Sequence, residues 1–78
     1  MSILKRLALN EEGFVFDPTT GDSFLLNATG LVLLRGVQEG LDEARLTARL
    51  VERFDVDALQ AARDVDDFLV QLRALRWL

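Results

Sequence analysis

The spacing of apolar side chains changes once along this chain, and the change divides it. Before Asn27 the apolar residues fall in short runs, Leu7-Ala8-Leu9, Phe14-Val15-Phe16 and Phe24-Leu25-Leu26. Short apolar runs bounded by turn residues read as strands, whose side chains point to opposite faces in turn. Between these runs lie Asn10-Glu11-Glu12-Gly13 and Pro18-Thr19-Thr20-Gly21. Both are turn sequences: Pro18 presets φ, Gly21 can take the positive φ that closes a turn, and Gly13 is the flexible point of the other. From Asn27 onward apolar residues recur every three or four positions, the period of a helix.

The hairpin is the organising stretch. Pairing Phe14 with Phe24 and Phe16 with Asp22 puts Phe14, Phe16, Phe24 and Leu26 on one face. Val15, Ser23 and Leu25 then lie on the other. The aromatic face needs cover, which only the following helices can supply. A two-stranded hairpin is marginal in water, so the segment around Leu7-Ala8-Leu9 is expected as a third strand. Leu25 has two readings: it packs under the third helix or the N-terminal segment, or it stays free as an apolar contact for a guest.

Three helices are expected next. Asn27, with Thr29 as second choice, caps a helix over residues 28–38, which Gly40 ends as a left-handed residue. Leu31, Val32, Leu33 and Leu34 make it apolar almost all round, and Gly30 is expected to allow close approach to the sheet. Asp42 caps a helix over 43–53, with Leu46 and Leu50 as its apolar stripe and Ala44, Val51 and Phe54 extending it. Asp57, with Gln60 three positions on, resembles a capping box opening a helix over 58–75. Its stripe is Leu59, Ala62, Val65, Phe68, Leu69, Leu72 and Leu75. Trp77-Leu78 is expected to fold back on the body. The order β-β-β-α-α-α predicts an α+β fold, helices on one side of a small antiparallel sheet, with residues 1–78 as one domain.

Composition narrows the chemistry. There is no cysteine and no histidine, so disulfides, thiolates and the commonest general base and metal ligand are all missing. The net charge of −4 argues against a nucleic-acid partner, which needs a basic footprint. No apolar run is long enough for a membrane span, and residues 1–6 read as a frayed, solvated terminus rather than a membrane foot. A cytoplasmic protein is the expectation. Asp64, Asp66 and Asp67 cluster on the third helix, but a solvated acidic face answered by Arg63 and Arg73 explains them better than a cation site, which needs ligands from several segments. No residue set meets the requirements of an active site. Catalytic residues, metal ligands and cofactors are therefore expected to be absent.

That leaves a binder. A three-stranded sheet has open edges, and an edge strand can accept an extended peptide as an added strand. Phe24-Leu25-Leu26 is the suitable margin. Two rivals are a small winged-helix DNA-binding regulator, disfavoured by the acidic third helix, and a scaffold module that dimerises through the same edge.

The run Phe16-Asp17-Pro18 to Gly21, followed by Phe24-Leu25-Leu26-Asn27-Ala28-Thr29-Gly30, resembles the PqqD family. So do Gly40, the Leu46–Leu50 helix, Asp64-Val65, Phe68-Leu69 and Leu72. Arg76 departs from the pattern, standing where a glycine is expected. The resemblance implies a winged helix-turn-helix-like fold and a peptide chaperone, or precursor-peptide recognition element. Such a protein binds the leader of a ribosomally made peptide and presents it to a modifying enzyme, a radical-SAM protein in pyrroloquinoline quinone synthesis. It further implies that the leader adds beside the third strand, at Ser23, Phe24, Leu25 and Leu26. Asp64, Asp67, Phe68 and Gln71 would form the facing wall, and Arg63 would meet an acidic leader residue. A monomer or weak homodimer is the expectation.

Overall fold

The computed structural model describes residues 3–78. Three strands, β1 (Ala8–Leu9), β2 (Phe14–Phe16) and β3 (Ser23–Leu25), precede three helices, α1 (Ala28–Gln38), α2 (Glu43–Phe54) and α3 (Ala58–Ala74). The strands pair antiparallel in the order β1-β2-β3, which leaves one margin of β3 unpaired by the sheet. The α+β fold with its helices after a three-stranded sheet is as the sequence implied.

The hairpin register differs from the expectation by one residue. Phe14 pairs with Leu25, Val15 with Phe24 and Phe16 with Ser23. A one-residue slip exchanges the faces of a strand. Val15 is therefore completely buried and Phe24 half-buried, while Phe14 and Phe16 remain 49 % and 45 % exposed. The turn sets this register. Asp17 N–H donates to the Asp22 carbonyl and Gly21 N–H donates to the Asp17 carbonyl, each at 2.8 Å. The buried Asp17 carboxylate accepts from Thr19 N–H at 2.8 Å, bracing the loop from inside. The loop is then Pro18 to Gly21, one residue shorter than the aromatic pairing requires. The helices cover Val15, not the two phenylalanines.

Leu33 and Leu34 of α1, Leu46 and Leu50 of α2, and Val65, Leu69 and Leu72 of α3 close over Leu7 and Val15 in one core. Each fully buried leucine contributes about 1.5–3 kcal/mol. The α3 stripe is narrower than the sequence suggested. Ala61, not Ala62, is buried with Val65, Phe68, Leu69 and Leu72, whereas Leu59 and Leu75 stay exposed. The buried positions keep one helical face, and residues at its margins fall outside it. On α2, likewise, Leu46 and Leu50 are buried, but Ala44 and Val51 are exposed.

Two glycines permit close approach. Gly13 has φ +98°, and a Cβ there would stand 2.2 Å from the Leu26 carbonyl oxygen. Its own carbonyl accepts from Leu26 N–H at 2.8 Å, locking the first turn to the end of β3. Gly36 is where α1 and α2 meet, because a Cβ there would lie 2.5 Å from Leu46 Cδ2. The sequence marked Gly30 for close approach to the sheet; it faces instead the side chains of Asn27 and Leu26 at its own helix start.

The helix caps are those the sequence named. Asn27, Asp42 and Asp57 accept from Gly30, Arg45 and Gln60 N–H at 2.8, 2.9 and 2.8 Å. The N-terminal segment is more than a frayed lead-in. Ile3–Arg6 forms a 3₁₀ turn, Leu4 is buried, and Gln38 Nε2 donates to the Leu4 carbonyl at 2.7 Å. Met1 and Ser2, the rest of that expected lead-in, lie outside the described residues. No described helix is long and apolar enough to cross a membrane.

Candidate functional site

The open margin of β3 has a defined polarity. In an antiparallel ladder, residues alternate between exchanging hydrogen bonds with the partner strand and turning their N–H and C=O away from it. Gly13 with Leu26 and Asp17 with Asp22 are hydrogen-bonded pairs flanking the β2–β3 ladder. Val15 and Phe24, midway between, are therefore the bonded pair within it. Ser23 and Leu25 direct their backbone donors and acceptors away from β2, along the free side.

Beside that margin runs a cleft of about 460 Å³. One side is the junction of β3 and α1: Leu25, Leu26, Asn27, Thr29, Gly30 and Leu33. Asn27 shapes it, because its cap ends the extended backbone and starts α1 at once. The other side is α3, with Asp64, Asp67, Phe68 and Gln71. These four positions are spaced i, i+3, i+4 and i+7, so a helix projects them on one face. A smaller hollow of about 210 Å³ shares Leu25, Leu26, Phe68 and Gln71 with the cleft. It extends the cleft to Phe24, Leu72, Leu75 and Trp77.

Most of the residues named from sequence are brought together here. Leu25, Leu26, Asp64, Asp67, Phe68 and Gln71 line the cleft, and Phe24 lines its extension. Phe68 also belongs to the core, being only 9 % exposed, so it forms floor and wall at once. Ser23 contributes backbone, but its side chain lies on the outer sheet face opposite Phe16. Arg63 is exposed on α3 and does not line the cleft. Asp64 accepts from Gln60 Nε2 at 2.9 Å rather than from Arg63 or Arg73. Thr29, Gly30, Leu33, Leu72, Leu75 and Trp77 were not singled out as site residues. In the sequence they carry the signals of a helix start, a core and a tail; only the packing of α3 across from β3 gives them a shared surface.

The C-terminal tail does not close the site. Trp77 is buried against the inner face of β3, its ring edge-on to Phe24, while Leu25 remains 67 % exposed. The cleft combines apolar floor, amide and carboxylate side chains, and a row of backbone donors and acceptors. That combination suits an extended chain. Among the described residues, no group of three or more His, Cys, Asp or Glu side chains gathers as a metal site.

A solved structure described as lasso peptide synthetase B1 complexed with the leader peptide matches this fold with a TM-score of 0.73. The two sequences are 22 % identical, and the match covers 87 % of this chain and 81 % of that one, a likeness of fold. Nothing among curated proteins matches the chain significantly. The family model for coenzyme PQQ synthesis protein D matches residues 12–78, from the turn before β2 to the C-terminus. With nearly the whole chain inside that match, the protein belongs to the PqqD family.

Proposed function

We propose that this protein is a peptide chaperone that takes the leader of a ribosomally synthesised precursor as a fourth strand on β3 and presents it to a modifying enzyme. The observation that carries the reading is the free β3 margin, with Ser23 and Leu25 turned outward, standing over a cleft walled by α3. Backbone pairing supplies affinity, and the cleft selects side chains. Membership of the PqqD family and the fold shared with a leader-bound structure support it. In this reading Ser23, Phe24, Leu25 and Leu26 offer the strand, and Asp64, Asp67, Phe68 and Gln71 meet the guest from across the cleft. The enzyme served is a radical-SAM protein or another peptide-modifying enzyme. The chaperone works in the cytoplasm as a monomer or weak homodimer, without catalytic groups of its own.

Leu25→Pro tests this directly. Proline is tolerated on an edge strand when its missing N–H faces outward, so the β2–β3 ladder survives. The outward donor is lost. Calorimetry with a peptide selected against the wild-type protein from a displayed random library should show at least tenfold weaker binding for Leu25→Pro, and unchanged binding for Arg49→Ala. Arg49 sits on α2, paired with Glu39 at 2.6 Å and away from the cleft. Equal affinities for the two variants would remove strand addition.

A further inference from the structure

The helices cover only the inner face of the sheet. Its outer face carries three large apolar side chains in the open: Leu25 at 67 %, Phe14 at 49 % and Phe16 at 45 % exposure. Their placement is ordered by the register. Leu25 stands opposite Phe14, and Ser23 stands opposite Phe16, which stands opposite Ala8. Two cross-strand rows result, and both end at the free margin of β3. The row that reaches it with a large side chain is Phe14–Leu25. In the other, Ser23 leaves Phe16 uncovered, and a shallow hollow of about 210 Å³ opens among Ala8, Phe14, Phe16 and Ser23.

A strand added at that margin cannot use the cleft alone. Its side chains alternate, so every second one falls on the outer face. A guest residue opposite Leu25 lies beside the Leu25 side chain, within cross-strand contact distance, with Phe14 one strand further on. The next residue points inward, toward the cleft. The residue two positions away lies beside Ser23 and reaches over it toward Phe16.

We infer that the outer face of the sheet is a second reading surface for the bound peptide, selecting a large apolar side chain opposite Leu25. The inference rests on the strand-addition reading and goes beyond it: recognition is two-sided, with the cleft reading one set of alternate residues and the Phe14–Leu25 row reading the other. The occupant is an extended peptide with large apolar residues at adjacent positions, one for each face. The row is continuous with the β3 margin, and the pleat places a guest peptide's side chains on it wherever backbone pairing occurs.

The test is a displayed library of random ten-residue peptides, panned against the wild-type protein and against a Phe14→Thr/Leu25→Thr double variant. Both substitutions are at exposed strand positions and keep a residue that suits strands, so an unchanged melting temperature verifies the fold. Wild type should enrich peptides with adjacent large apolar residues. The best of them should bind the double variant about tenfold more weakly. Peptides enriched by the variant should keep the inward residue and lose the outward preference. If one peptide set, with equal affinity, emerges from both proteins while amide exchange at Ser23 and Leu25 slows on binding, strand addition stands and the second surface is refuted. Binding without slowed exchange there, or no enrichment by wild type, removes both. A concentration-dependent dimer that the double variant abolishes would assign the face to a second copy instead.

Discussion

The Trp77 indole meets the Phe24 ring edge-on, with centroids 5.3 Å apart and planes at 83°. This contact ties the end of the chain to the inner face of β3. It also closes one end of the hollow that continues the cleft. Edge-to-face pairs of this kind contribute about 0.5–1.5 kcal/mol beyond the area they bury.

Trp77→Ala should therefore lower stability by about 3–5 kcal/mol in a denaturant titration. Trp77 is the only tryptophan, so wild-type emission reports this corner of the fold alone. Leader binding beside Leu25 and Leu26 should change that emission, and a spectrum indifferent to saturating peptide would argue against occupancy of this end of the cleft.

Arg76 holds φ +61°, a left-handed conformation that favours glycine. Its N–H donates to the Arg73 carbonyl at 3.0 Å, and Trp77 N–H donates to the Leu72 carbonyl at 2.9 Å. This is a Schellman ending. The end of α1 is built identically, with Gly40 at φ +86° and Leu41 N–H on the Gly36 carbonyl at 3.0 Å. The packing of Trp77 at the following position holds Arg76 in place despite its Cβ. Arg76→Gly should raise stability by about 0.5–1 kcal/mol, and Gly40→Ala should lower it by about 1 kcal/mol. Thermal melts of the two variants check the pair, and opposite signs are the expected result.

The register of the hairpin makes its own prediction. Val15→Ala should cost about 2 kcal/mol, because it empties a site with no exposure at all. Phe14→Thr, one residue away on the open face, should change stability by no more than about 0.5 kcal/mol. Chemical denaturation compares them; the reverse order would restore the aromatic face to the core.

Gly30 is buried at the base of the cleft, where a Cβ would lie 3.2 Å from Asn27 Oδ1 and 3.4 Å from Leu26 Cβ. In Gly30→Ala the gain in helix propensity, about 1 kcal/mol, is offset by crowding at the cap. Stability should shift by less than about 1 kcal/mol. Peptide affinity should nevertheless fall several-fold, because the methyl group takes space in the cleft beside Leu26. Calorimetry beside a melting curve separates the two effects.

The sequence alone determined the kinds and order of the elements. Caps at Asn27, Asp42 and Asp57 and the terminator Gly40 are local devices, each acting within one turn of chain, and all are where the residues indicated. The spacing of Asp64, Asp67, Phe68 and Gln71 likewise places them on one helical face without reference to anything distant. Which face of the hairpin turns inward was decided elsewhere. Both pairings bury apolar side chains, and the choice fell to the loop braced by Asp17 and to the fit of Val15 beneath the helices. The cleft is likewise a tertiary product. β3 and α3 are separated by two helices in the chain, and their spacing is set by how α1 and α2 close at Gly36 and by how Trp77 seats on Phe24. Local periodicity carries no information on such distances, because they follow from the shapes of side chains that meet only once the core has formed.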